Sequence, residues 1–155
     1  MIRLTSKTFK SISELNAYLQ EKINETLLDE VSDAVKDEIE SSISDTVFSA
    51  GEPVWYQRRS QYNGLNSGGL ADKAEMDATL ISDGVIEIVD NAKPSRPWNN
   101  GRTLSENIEF GYNQKKNWWD QPRPFIAESK ENLKKSKAHV DSMKDGLRAR
   151  GLDVI

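Results

Sequence analysis

The stretch LSENIEFGYNQKKNWWDQPRPF, residues 104–125, decides how this chain is read. It opens on a short helical element that ends in Glu109, Phe110 and Gly111. It crosses a loop carrying Trp118 and Trp119, and it closes on Pro122, Arg123, Pro124 and Phe125. Thr103, Leu104, Ser105 and Glu106 form a capping box, in which the hydroxyl takes a first-turn N–H and the carboxylate reaches back. The helix so started is about two turns long, with Leu104 and Ile108 on one face and Gly111 as its stop. Two turns are not stable alone, so this helix must dock on a neighbouring sheet. Pro122 and Pro124 fit only before or within the first turn of the next helix.

That next helix is long and basic. Ile126, Leu133, Val140 and Leu147 recur every seven residues, and Ser129, Ser136 and Met143 occupy the intervening seam. Small serines there would allow close helix approach. Gly151 reads as the stop, leaving an apolar tail, residues 152–155, that is either frayed or tucked into a partner.

Upstream, Met76–Asp90 reads as a β-hairpin. Met76, Ala78 and Leu80 alternate with Asp77 and Thr79, and Ile86 and Ile88 flank Glu87. A three-residue connection, Ser82-Asp83-Gly84, sets Leu80 opposite Ile86 and keeps all five apolar side chains on one face. A two-residue turn would set Leu80 against Glu87. The pattern therefore chooses the longer loop, with Gly84 left-handed.

The first fifty residues read as one long amphipathic helix. Ser11-Ile12-Ser13-Glu14 is a second capping box. Ile12, Leu15, Leu19, Ile23, Leu27, Val31, Val35, Ile39, Ile43 and Val47 follow without Pro or Gly. Unbroken, the helix would span roughly 55 Å. A spacing of four drifts about 40° per step around a straight α-helix. The helix must therefore bend or break, with Asn24–Asp33 the expected place, or turn its halves to different surfaces, one of them a neighbouring subunit. The fold class is thus α+β: a long N-terminal helix, a small antiparallel sheet built on a hairpin, a short helix and a long C-terminal helix. Residues 1–155 read as a single domain with mobile loops at about 57–72 and 91–103.

Composition excludes more chemistry than it suggests. There is no cysteine, so disulfides, thiolate metal sites and cysteine nucleophiles are ruled out together. His139 is the only histidine and sits in a lysine-rich helical segment, a poor place for a triad or a zinc ligand. The glycine cluster 64–69 lacks the terminal Gly-Lys-Ser/Thr of a phosphate loop. Carboxylate pairs such as Asp29/Asp33 and Asp33/Asp37 read as a solvated acidic face. No run approaches a membrane span, and no signal peptide is visible. The expectation is a protein that is not an enzyme and uses no cofactor or metal.

Charge is uneven. Residues 1–50 carry five basic and ten acidic side chains, and residues 122–155 carry eight and five. Opposite signs at the two ends suit head-to-tail contact between copies. Trp55, Tyr56, Arg58, Arg59 and Tyr62 mix cationic and aromatic side chains, as do Lys115, Lys116, Trp118 and Trp119. Such sets make interface hot spots, and they can also bind nucleic acid. In a net acidic chain with only two adjacent arginines, Trp55, Tyr56, Arg58, Arg59, Trp118 and Trp119 are assigned to a protein interface. DNA contact through residues 55–62 is the alternative. Glu109, Gly111, Arg123, Pro124 and Phe125 are assigned to a structural anchor, with Phe125 in the core and Arg123 paired with Glu109.

The order of these motifs resembles the tail-completion, or head–tail joining, proteins of long-tailed siphophages. The residues that carry the likeness are Tyr56-Gln57-Arg58-Arg59 with Gly64-Leu65, then the hairpin, Glu109-Phe110-Gly111, and Arg123-Pro124-Phe125. Asn99–Leu104 departs from the Tyr-Ala segment common at that place in the family. The resemblance implies an α+β virion protein without catalytic activity. It would assemble as a ring, sixfold by tail symmetry, beside connector or tail tube proteins. Its place would be the virion, after assembly in the host cytoplasm, with no membrane partner.

Overall fold

The computed structural model describes residues 7–50, 68–93, 102–111 and 121–154. The first helical run comprises α1 (Ile12–Thr26), a π turn at Leu27–Val31, α2 (Ser32–Ile43) and a second π turn at Ser44–Phe48. Ser32 N–H donates to the Leu27 carbonyl, and Ser49 N–H to that of Ser44 at 3.1 Å. Each is a closure over five residues rather than four. The expected break in Asn24–Asp33 is thus a widened turn.

The widened turns answer the spacing of four. From Leu15 to Val47 the stripe takes eight such steps, a drift of about 320°. Each extra residue accommodated withdraws about 100°, so two leave about 120°, close to the width of an ordinary apolar stripe. Hydroxyls flank both turns. Thr26 donates to the Lys22 carbonyl (2.8 Å), Thr46 to that of Ser42 (2.6 Å), and Ser32 and Ser49 to carbonyls four residues back. Such back-bonding competes with the helical ladder and bends helices. At the start, Ser11 accepts from Glu14 N–H (3.1 Å), but the Glu14 carboxylate accepts from Lys10 N–H (2.8 Å) instead of from Ser11. Ile12, first in the stripe, is exposed.

The hairpin pairs β1 (Met76–Ser82) with β2 (Val85–Asp90). Asn91 N–H donates to the Glu75 carbonyl at 2.8 Å. Counting inward from that pair sets Leu80 opposite Ile86, as the hydrophobic pattern requires, although β1 runs through Ser82 and leaves Asp83 and Gly84, not three residues, between the strands. Burial alternates accordingly, with Leu80 and Ile86 shielded while Thr79 and Glu87 are exposed. Gly84 sits at φ +76°, the left-handed position.

The fold divides into two compact units. One comprises residues up to Ala34, residues 78–87 and the chain from Ala138 on. Here α5 (Ala138–Ala149) packs on α1 and on the Leu27–Val31 turn. Contact is closest at Gly146, where a Cβ would lie 2.5 Å from Thr26 Cγ2. The Arg150 guanidinium spans Asp29 (2.6 Å) and Glu30 (2.7 Å), with Glu25 at 3.4 Å. The hairpin tip is fastened by Asn24, whose Oδ1 accepts from Gly84 N–H (2.9 Å) and whose Nδ2 donates to Asp83 (3.1 Å).

After α5 the chain closes in a Schellman motif. Leu152 N–H donates to the Leu147 carbonyl (3.0 Å) and Gly151 N–H to that of Arg148 (2.9 Å), with Gly151 at φ +84°. The Val154 carbonyl accepts from Arg148 (3.1 Å). Leu152 and Val154, in the tail expected to fray or seek a partner, bond back to their own helix.

The second unit comprises residues 35–77 and 88–137. Its core gathers Ile43, Val47, Leu70, Ala71, Met76 and Phe125, with Ile39, Ile88, Leu104, Ile108 and Ile126 packed around them. Leu104 and Ile108 come from α3 (Leu104–Phe110) and Phe125 from the start of α4 (Phe125–Ser136). Leu70 and Ala71, placed by sequence in a mobile loop, are core residues, because Asp72 folds the segment. Its carboxylate accepts from Gly68 N–H (2.7 Å) and Ala74 N–H (3.0 Å). Ala92, in the other expected loop, is also buried.

The single long C-terminal helix is a second correction. Lys137 stands at φ +59° between α4 and α5. Its N–H donates to the Leu133 carbonyl (2.9 Å), so it occupies the left-handed stop that glycine usually fills. Lysine is a good helix former, so the heptad pattern runs through the break unmarked. Ser129 is buried on the seam as expected, while Ser136, next to the break, is exposed.

Candidate functional site

The candidate site is built around the two ends of residues 112–120, the segment that carries Trp118 and Trp119. Those two residues, like Trp55, Tyr56, Arg58 and Arg59, lie outside the described residues. The described residues on either side of 112–120 are the anchor residues.

At the near end, α3 begins with a complete capping box. Thr103 N–H donates to Glu106 (2.7 Å), and Glu106 N–H donates to the Thr103 hydroxyl (3.2 Å). The Thr103 N–H and hydroxyl hold the Glu106 carboxyl below the usual carboxylate range. The helix stops at Gly111, which is buried at φ +79°. A side chain there would be strained.

At the far end, Pro124 takes the N-cap position of α4, where it can offer no side-chain hydrogen bond. Glu109 supplies the cap from α3. Its two carboxylate oxygens accept from Ile126 N–H (2.8 Å) and Ala127 N–H (3.2 Å). A buried carboxylate thus meets the positive end of a helix and two amides that would otherwise lack acceptors. From sequence, Glu109 is expected to pair with Arg123. In the structure Glu109 serves the α4 backbone, and the Arg123 N–H donates to the Ile108 carbonyl at 2.8 Å. Phe125 is 1% exposed and enters the core directly behind this junction.

The other two segments outside the described residues start and end on the same unit. Residues 51–67 leave after Ala50, just past Val47 and Phe48, and return at Gly68, ahead of Leu70 and Ala71. Residues 94–101 leave after Ala92 and Lys93 and return to the cap of α3. One core therefore roots all three segments, including every residue assigned by sequence to the interface.

Two residues of this unit have no role assigned from sequence. Phe110 is 63% exposed at the end of α3. It lies about 200° around the helix from core-facing Ile108, a signal that was present in the spacing. Asp90, at the end of β2, accepts from Ala92 N–H (2.8 Å) and from the Ser105 hydroxyl (2.9 Å), tying hairpin to α3. Burial pushes its carboxyl up, the two hydrogen bonds oppose this, and Glu75 adds to it. Its dependence on a tertiary neighbour left no signal in the sequence.

Among the described residues no group of three or more His, Cys, Asp or Glu side chains could hold a metal ion. No described helix is long and apolar enough to cross a membrane. The family model described as YomN matches residues 11–149. The chain belongs to the YomN family. The name is that of a Bacillus prophage protein, and the chain is a phage-associated protein. The YomN match begins at Ser11, the N-cap of α1, and ends at Ala149, the last residue of α5, so it spans both compact units. No curated protein and no solved structure matches the chain.

Proposed function

We propose that this YomN-family protein is a structural component of a phage virion, at the head–tail interface or the tail terminus, where copies assemble as a ring and perform no reaction. The observation that carries this reading is the common rooting of residues 51–67, 94–101 and 112–120 on one core. Seven aromatic residues, Trp55, Tyr56, Tyr62, Trp98, Tyr112, Trp118 and Trp119, fall within those segments, with Arg58 and Arg59 beside the first pair. Clustered aromatic and arginine side chains are the composition of interface anchors. Membership of a prophage-named family and the motif order of tail-completion proteins point the same way.

The test is a Trp118→Ala phage. The isolated protein should keep its folded circular dichroism spectrum and melting temperature, while the yield of tailed particles collapses. Normal yields of infectious particles from that phage would remove Trp118 from the interface and weaken the reading.

A further inference from the structure

The surface of α1 carries a shallow channel of about 500 Å3 that the interface loops do not include. Ala17 and Leu28 form its floor, Glu21 and Glu25 one rim, and Asp83 on the hairpin turn the other, with Asn24 joining turn to helix. Leu28 is 38% exposed. On a helical projection Ala17, Asn24 and Leu28 fall within about 40° of one another, and Glu21 and Glu25 flank them. An apolar strip edged by carboxylates on both sides suits the stem of a long cationic side chain, whose methylenes cover the floor while the head reaches the rim.

The same chain carries a matching face on its other unit. Ala127, Lys130, Lys134 and Lys137 fall within an arc of about 80° on α4 and its terminal residue, and all four are exposed. The charges are complementary. The channel lining carries Glu21, Glu25 and Asp83, a balance of −3, with Lys22 paired to Glu21 and Glu25 and Arg150 to Glu25 at its edge. On α4 and its terminal residue, Lys130, Lys134, Lys135 and Lys137 oppose Glu128 and Glu131, a balance of +2.

We infer that the lysine face of α4 in one copy docks in the α1 channel of the next copy, forming a head-to-tail contact. This rests on the self-assembly reading above and supplies it with a named pair of surfaces. A contact between two different patches is heterologous, the kind that propagates into a ring or filament. Opposite charges raise the association rate and fix the register, and salt weakens them.

Two variants test it, Glu21→Lys, and Lys130→Glu with Lys134→Glu, each verified as folded by circular dichroism. Wild-type protein followed by analytical ultracentrifugation over rising concentration at low salt should self-associate, and added salt should reverse this. Each variant alone should associate at least about tenfold more weakly. An equimolar mixture of the two should recover association, because each reversed channel then finds a reversed helix and each native channel a native helix. Variants that associate like wild type, or a mixture no better than its components, overturn the pairing while leaving assembly through Trp118 standing. Wild-type protein that stays monomeric at low salt overturns the pairing as well. The tailed-particle assay with Trp118→Ala judges the broader reading separately.

Discussion

Replacing Gly146 with alanine sets two well-measured effects against each other. In an unobstructed helix interior the change should stabilise by about 1 kcal/mol, because glycine is the poorer helix former. Here the new Cβ would stand 2.5 Å from Thr26 Cγ2 and 2.7 Å from Glu30 Oε2. Carbon atoms prefer about 3.5–4.0 Å, so a gap of about 1 Å has to open. Thr26 cannot swing aside easily. It is β-branched and fully buried, and its hydroxyl is bonded to the Lys22 carbonyl. Glu30 is held by Arg150 through two 2.7 Å contacts. Overpacking costs about 1–3 kcal/mol, and disturbing a charged hydrogen bond adds about 1.5 kcal/mol. The net expectation is a loss of roughly 1.5–3.5 kcal/mol, or a melting temperature lower by about 3–14 °C for a chain of this size. Urea unfolding followed by circular dichroism measures it. Adding Thr26→Ser removes Cγ2 but keeps the hydroxyl, so the double variant should regain at least about 1 kcal/mol of the loss as a coupling term. A stabilised Gly146→Ala protein would refute the close approach of α5 to the Leu27–Val31 turn.

Other substitutions probe the second unit and the break in the last helix. Lys137→Gly should be neutral or stabilising by up to about 1 kcal/mol, because a left-handed residue prefers glycine; a loss of about 1 kcal/mol in thermal unfolding would instead mean an unbroken helix. Glu109→Ala should cost about 2 kcal/mol by leaving two first-turn amides of α4 without acceptors, and Glu109→Gln about half as much, since one oxygen remains. Equal stabilities for all three proteins in urea would remove the cap. Asp90 has a folded pKa raised by burial. Its contribution is therefore largest at low pH and falls as pH climbs from about 3.9, the unfolded value, through the folded one. Asp90→Asn keeps an acceptor for Ala92 N–H and can donate its amide to the Ser105 hydroxyl, so it should gain relative to wild type over that rise. A stability difference between the two that is flat from pH 3 to 7 would contradict the raised pKa.

Much of the architecture was legible because local chemistry and tertiary packing agree at those places. The Thr103–Glu106 box, the stops at Gly111 and Gly151, and the Leu80–Ile86 register each rest on interactions within a few residues. The π turn at Leu27–Val31 was half legible. Strict fours demanded a correction in that region, but only the structure showed the helix widening rather than breaking. The interface residues rest on composition and motif order alone, because they lie outside the described residues.

Sequence by itself determined the α+β class, the cap of α3, the stops at Gly111 and Gly151 and the hairpin's facing residues, because hydrogen bonds and periodicity within a short span leave one consistent solution. Tertiary structure alone decided that Glu109 caps α4, that Lys137 breaks the last helix, and that Leu70 and Ala71 belong to the core. Each of these depends on groups far apart along the chain, or on a backbone conformation that an ordinary helix-forming residue does not announce. No local pattern records such a partnership until folding brings the two sides together.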